Sequence, residues 1–297
     1  MKIMISGGRG FIGSHLVTAL QEAGHSVSVW SRTADGSGKV PAFVWDPVAG
    51  VPPAESLAGV DAVINLAGEP VAHRWTDDLK KKIHDSRVLG TRNLVRGLEG
   101  TSVKVLVNSS ATGYYGDRGE EQLTEQSAPG TGFLSGVCTE WEAAADEAGK
   151  LGVRVVKVRT GMVLGANGGA LARLVTAFKT KMGGKLGSGT QWMPWIHMSD
   201  LTGIFRFAAE GKVSGVLNGT APNAVRNEEF TEALGEAMDE PTKLSIPEFA
   251  LKMMFGEMSE VMLASQHVMP EATLASGYQF QFSEVGAAVR NALGVSR

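Results

Sequence analysis

The feature that most constrains this chain lies near its start, where Gly7-Gly8-Arg9-Gly10-Phe11-Ile12-Gly13 joins an apolar run to an amphipathic one. Met1–Ser6 is short and largely apolar, the pattern of a buried strand. From Phe11 to Ala23, residues Ile12, Leu16, Ala19, Leu20 and Ala23 recur at helical spacing, and Gly24 stops the run. The turn satisfies Gly-x-Gly-x-x-Gly from Gly8 and Gly-x-x-Gly-x-x-Gly from Gly7. Glycine is needed there because the chain turns sharply and a pyrophosphate sits against bare backbone at a helix N-terminus. A Val-rich second strand at Ser26–Trp30 completes the context that a dinucleotide-binding turn requires.

Strand and helix patterns keep alternating downstream. Asp61–Leu66, Val103–Val107 and Val153–Val158 read as strands, with helices at Asp77–Leu98 and about Gly136–Lys150. This order predicts an α/β, Rossmann-like, doubly wound parallel sheet with right-handed crossovers. After Arg159 the texture changes, with glycines dense from Gly161 to Gly189 around a helix near Ala170–Lys181. Trp192–Asp200, a helix to about Glu210, a strand at Gly215–Gly219 and a helix at Asn227–Met238 follow, then a Met-rich, mostly helical tail from Pro247. The predicted division is a nucleotide-binding sheet domain over 1–165 plus about 190–225. About 166–189 and 226–297 form a smaller, mainly helical C-terminal substrate or lid lobe.

Composition narrows the function classes. Glycine supplies 38 of 297 residues without any period, which points to close backbone approaches rather than low complexity. A formal charge of -3 offers no basic stripe for nucleic acid. Cys138 is the only cysteine, which excludes a disulfide framework and a Cys-based zinc cage. No apolar run approaches the roughly 20 residues of a membrane span, and the apolar start ends too early for a signal peptide, so a cytoplasmic protein is expected.

The end of the second strand selects among nucleotides. An acidic residue there would grip a ribose 2′-hydroxyl, whereas this strand ends Trp30-Ser31-Arg32. A guanidinium pairs bidentately with a 2′-phosphate and stacks on adenine, and Arg9 adds a second positive charge. The expected cofactor is NADP(H).

With these residues in view, the chain resembles the extended short-chain dehydrogenase/reductase family. The likeness is carried by the glycine turn, Asn65-Leu66-Ala67-Gly68, Asn108-Ser109-Ser110-Ala111-Thr112-Gly113-Tyr114-Tyr115-Gly116 and His197-Met198-Ser199-Asp200. A narrower likeness is to an atypical epimerase-like branch with a small C-terminal domain of unknown function. Gly68-Glu69-Pro70, Ser86-Arg87, Trp141-Glu142, Arg159-Thr160-Gly161, Gly168-Gly169 and Ser265-Gln266-His267 carry it, so it spans nearly the whole chain. The resemblance implies cofactor contacts from Gly7, Arg9, Gly10, Phe11, Ile12, Gly13, Ser31, Arg32, Leu66, Ala67, Gly68, Glu69, Lys82, Arg87, Ser109 and Thr160. Arg87 stands where the wider family has Asn.

The family's hydride chemistry rests on Tyr-x-x-x-Lys, and here the chain departs. The corresponding stretch, Gly132-Phe133-Leu134-Ser135-Gly136-Val137-Cys138, places Phe133 with Val137 or Leu134 with Cys138. Ser110, Tyr114, Tyr115 and His197 are the remaining candidates for catalysis. The resemblance therefore implies an NADP(H)-binding, epimerase-like oxidoreductase acting on an unidentified small molecule, or a catalytically silent NADP(H)-binding sensor. It also points to a homodimer formed through the Asp77–Leu98 helix.

Overall fold

The computed structural model describes residues 1–33, 40–166 and 168–295. Seven strands form the central sheet: β1 (Lys2–Ser6), β2 (Ser26–Ser31), β3 (Ala42–Val44), β4 (Ala62–Asn65), β5 (Val105–Ala111), β6 (Arg154–Thr160) and β7 (Gly215–Gly219). Their order is β7-β6-β5-β4-β1-β2-β3, and every pairing is parallel. This is the doubly wound arrangement, with its change of winding direction between β1 and β4.

The main helices are α1 (Phe11–Glu22), α2 (Asp77–Gly97), α3 (Phe133–Asp146), α4 (Gly169–Lys179), α5 (Met198–Glu210), α6 (Asn227–Met238) and α7 (Glu248–Phe255). Successive residues of β1 point to opposite faces of the sheet. Ile3 and Ile5 pack with Leu16 and Leu20 of α1 and Leu201, Ile204 and Phe205 of α5. Met4 packs on the other face with Leu94 and Val95 of α2 and Ala145 of α3. A third cluster joins Leu171 and Phe178 of α4, Phe230 and Leu234 of α6, and Val289 near the C-terminus.

Sequence and structure differ at particular elements. β3 went unpredicted, being three residues long at the sheet edge. β5 and β6 begin later than expected and run on through polar residues. Those residues are bonded across the sheet: Asn65 Nδ2 donates to Asn108 Oδ1 at 2.7 Å and to Thr91 Oγ1 at 3.0 Å. Ser6 pairs with Asn65 in register and donates to it, forming a buried polar row across β1, β4 and β5. α3 starts at Phe133, before the expected Gly136, because Gly132 at φ +98° turns the chain into it. The tail is broken into α7 and the shorter α8 (Ser259–Leu263), α9 (Glu271–Ala275) and α10 (Val285–Leu293).

Two buried carboxylates fasten this tail. Asp200 accepts from Gln281 N at 2.7 Å, Phe282 N at 3.0 Å and the Tyr278 hydroxyl at 3.2 Å. Glu125 accepts from Asn218 N, Ala272 N and Thr273 N at 2.9–3.2 Å, the latter two at the start of α9. Replacing Asp200 with Ala strands the Gln281 and Phe282 amides, each worth about 1–3 kcal/mol when left unpaired, while the Tyr278 hydroxyl keeps the Asp200 carbonyl at 2.9 Å. The expected result is a loss of roughly 3 kcal/mol in urea unfolding, with 280–293 becoming more protease-sensitive.

Candidate functional site

The glycine turn is shaped for close approach. Gly7 has φ +69°, and a Cβ there would lie 2.9 Å from the Leu66 carbonyl carbon. A Cβ on Gly13 would meet Gly7 O at 2.1 Å, and one on Gly8 would meet Val29 Cγ1 at 2.6 Å. α1 begins at an extended Gly10 with no side-chain cap and no acidic residue in its first turn. Its opening amides and positive dipole end thus face the carboxyl edge of the sheet, ready for an anion. Ser6 Oγ accepts from Leu66 N and Ala67 N at 3.2 Å each, which fixes the segment opposite the turn.

The other predicted cofactor residues ring this edge. Ser31 ends β2 and Arg32 follows it directly, exposed. Arg9 is exposed within the turn, and Lys82 is exposed on α2. Ser109 and Thr160 are half-buried at the ends of β5 and β6. Phe11 and Ile12 open α1; the Phe11 ring lies against backbone that is bare at Gly165, Gly168 and Gly169, where a Cβ would approach it to 3.1, 2.3 and 2.7 Å. Part of the glycine excess thus seats a ring belonging to the turn itself.

The segment after β4 is clamped from three sides. Arg87 Nη1 donates to Glu69 O at 3.0 Å and Ile83 O at 3.2 Å. Arg173 of α4 donates to Ala72 O at 2.6 Å, and Arg74 reaches Met253 O of α7 at 3.0 Å. Trp75 meets Phe133 edge-on at 5.1 Å between ring centroids.

At the end of β5 lies a polar hub that sequence reasoning did not assemble. Arg159 and Glu142 form a buried bidentate ion pair, Nε to Oε1 at 2.8 Å and Nη2 to Oε2 at 2.9 Å. Ser110 Oγ donates to Glu142 Oε1 at 2.7 Å, so the candidate serine is engaged within the protein. Tyr115 is fully buried; its hydroxyl donates to Asn218 Oδ1 at 2.7 Å and accepts from Arg159 Nη1 at 3.0 Å. Burial pushes the Tyr115 phenol up to about 12, against the pull of Arg159. Burial also disfavours the Arg159 charge, but Glu142 and Tyr115 outweigh it and hold the guanidinium above its ordinary value. Tyr114 is half-buried, with Arg159 Cζ 3.4 Å from the centre of its ring. The signals for this hub were present in Trp141-Glu142 and Arg159-Thr160, but nothing in the sequence says that these two charges meet.

The register of α3 is resolved by Gly113, whose Cβ position lies 3.4 Å from Leu134 Cβ and 3.9 Å from Cys138 Sγ. Leu134 and Cys138 therefore face the end of β5, while Phe133 turns to Trp75. Cys138 is buried, and burial pushes its thiol up to about 11, so it is no ready nucleophile.

His197 stands apart from the other candidates. It caps α5, accepting from Ser199 N at 3.2 Å, and packs on Phe282 at 4.0 Å. Its surroundings give it a structural task. Burial lowers its pKa to about 4, with the Asn291 side chain opposing.

The fold and the phosphate-ready edge define a nucleotide-binding α/β protein of the Rossmann type. The model of the NAD dependent epimerase/dehydratase family matches residues 3–220, and a domain of unknown function, DUF1731, matches 246–292. The chain belongs to that epimerase/dehydratase family, in its extended short-chain dehydrogenase/reductase form. Among its relatives is the epimerase family protein MT2273 of Mycobacterium tuberculosis, 39% identical over 97% of this chain and 96% of that one. A relative in Arabidopsis thaliana, the chloroplastic SDR39U1 homolog, is 38% identical over 98% of this chain and 86% of its own length. The crystal structure of the human epimerase family protein SDR39U1 with NADPH superposes with a TM-score of 0.89 at 35% identity, covering 99% of this chain and 100% of that one. Among the described residues, no helix is long and apolar enough to cross a membrane.

Two expectations follow from the site. Arg159→Met leaves Glu142 buried without its partner and is expected to cost about 3–5 kcal/mol in urea unfolding, with Arg159→Met/Glu142→Leu costing less than the single change. His197 has its folded pKa at about 4, below its ordinary 6.5, so the unfolded chain binds its proton first as pH falls. Its stability contribution is full above pH 6.5 and is lost downward to pH 4, at about 1.4 kcal/mol per pH unit. Denaturant melts at pH 7 and pH 5 are expected to show this decline, and His197→Gln to flatten it.

Proposed function

We propose that this protein binds NADP(H) across the carboxyl edge of its sheet and acts as an epimerase-like oxidoreductase on a small molecule held beneath the C-terminal lobe. The observation that carries this reading is the pairing of an uncapped, glycine-built turn with a second strand followed directly by Arg32 rather than an acid. A 2′-phosphate supplies the charge that Arg32 suits, with Arg9 nearby in sequence on the turn. The NADPH named with the human relative, at 35% identity over essentially the whole fold, supports the same choice.

The residues divide the work along the edge. Gly7, Gly8, Gly10 and Gly13 admit the pyrophosphate to the backbone, and the start of α1 at Phe11 and Ile12 faces it. Ser31 and Arg32 take the adenosine phosphate. Leu66, Ala67, Gly68 and Glu69 line the nucleotide through a segment that Ser6 and Arg87 hold in place. Ser109 and Thr160 lie at the strand ends on the nicotinamide side, and Lys82 adds positive charge on α2. When bound, NADPH supplies the hydride. Of the phenols near the end of β5, Tyr114 is the accessible one, since Tyr115 is enclosed. Tyr114 is thus our candidate for the proton that accompanies reduction of a carbonyl.

A second reading, a catalytically silent NADP(H) sensor, draws support from Leu134 and Cys138, an apolar side chain and a buried thiol facing the end of β5. Titration of NADPH and NADH by calorimetry tests the shared part. Arg32→Ala is expected to weaken NADPH about 10-fold or more, the worth of a charge-assisted pair, and to leave NADH within about 2-fold. Equal wild-type affinities for both nucleotides overturn the reading. Turnover of a carbonyl substrate that Tyr114→Phe abolishes selects the enzyme over the sensor.

A further inference from the structure

Arg87 is a cation in an unusual position. It projects from α2 onto the segment just beyond β4, so closely that a Cβ on Gly68 would lie 2.9 Å from its Cζ. The Trp141 ring of α3 lies 5.2 Å from Cζ on another side. Only Nη1 bonds to protein, to two main-chain oxygens, and among the described residues no carboxylate pairs with the guanidinium. Nε and Nη2 have no hydrogen-bond partner among those residues. Thr220 Oγ1 is the sole fully enclosed side-chain polar atom without a partner there, so these two Arg87 donors keep access to solvent. Burial disfavours its charge, which Glu69 supports only through space, so a guanidinium walled by an indole and bare backbone, with donors to spare and no carboxylate bonded to it among the described residues, is prepared for an oxygen-rich or anionic ligand.

Its place along the sheet says which part of the ligand that is. Phosphates sit at β1 and the start of α1, and the adenosine side extends over β2, where Arg32 stands. Arg87 lies on the opposite side of the turn, over the end of β4 and against α3, which covers β5. That is the nicotinamide half. Across from it stands Cys138, buried and un-ionised, which offers a ligand neither charge nor a strong donor.

We propose that Arg87 is the cation that grips the nicotinamide-side ribose of NADP(H), a task for which α3, with Leu134 and Cys138, supplies no side chain. Gly68 is part of the device, because the guanidinium occupies the space a side chain there would need. The inference rests on the NADP(H) reading above and adds to it a division of labour: Arg32 recognises the adenosine end and Arg87 the nicotinamide end.

Two probes separate these ends: NADPH, and adenosine 2′,5′-bisphosphate, which lacks the nicotinamide ribose. With the full-length protein, Arg87→Ala is expected to weaken NADPH by roughly 10–100-fold, the worth of charge-assisted hydrogen bonds, and to weaken the bisphosphate at least about 5-fold less, any loss there reporting the segment from Leu66 to Glu69 that Arg87 also holds. Arg32→Ala weakens both. Gly68→Ala, which displaces the guanidinium, is expected to reproduce the Arg87 pattern, and the double variant to show no further loss, since both changes remove one interaction. Unchanged NADPH affinity in Arg87→Ala overturns the proposal, as does an equal loss for both probes. Neither result touches the NADP(H) reading, which fails instead if wild-type protein does not prefer NADPH to NADH.

Discussion

The structure depends on one buried ion pair. Arg159 at the end of β6 and Glu142 on α3 meet bidentately, and around them Ser110, Tyr115 and Asn218 complete a closed set of donors and acceptors. Through it, β5, β6, β7 and α3 are held at one point. From Asn218 the network continues to Glu125 and the start of α9, so the C-terminal segment is tied to the sheet domain by the same chain of bonds. In a low-dielectric interior such a network is strong only when every member is satisfied. Removing either charge leaves the other stranded.

That constraint also explains why the obvious polar residues are poor reagents. Ser110 is committed to a carboxylate and Tyr115 to an amide and a guanidinium. Ser110 holds β5 to α3, and Tyr115 holds the segment after β5 to β6 and β7. Around the end of β5, Tyr114 lies with its face on Arg159 and Arg87 lies beside Gly68, while Arg9, Arg32, Lys82, Ser109 and Thr160 stand farther along the edge. The site is thus well built to bind and orient a dinucleotide, and sparing in groups that move protons.

Much of the fold was legible in the sequence because its signals are local. A strand, a glycine turn and an amphipathic helix follow within about twenty residues, and the alternation of Val-rich strands with helices sets the parallel sheet. Where the reading slipped, the cause was non-local pairing. Asn108, Ser109 and Ser110 lie beyond the strand expected at Val103–Val107, and β5 runs on through them because Asn65 pairs with Asn108 in register. β3 is too short to announce itself, and its partner is a strand eleven residues earlier. His197 and Asp200 drew notice as a motif, yet their neighbours, Phe282, Tyr278 and Gln281, lie some eighty residues later. The Arg159–Glu142 pair was unreadable for the same reason. No spacing rule links residue 142 on a helix with residue 159 on a strand.

The contact between Phe11 and the bare backbone at Gly165, Gly168 and Gly169 has a mechanical consequence. It joins the phosphate turn to the entrance of α4, yet an aromatic ring against glycine makes a non-directional contact. Such a bearing keeps two surfaces apart by a fixed thickness while opposing sideways motion only weakly. The contacts at Gly165, Gly168 and Gly169 therefore set a spacing between the turn and the start of α4 through packing alone. Any side chain grown at those three positions would turn the bearing into a wedge.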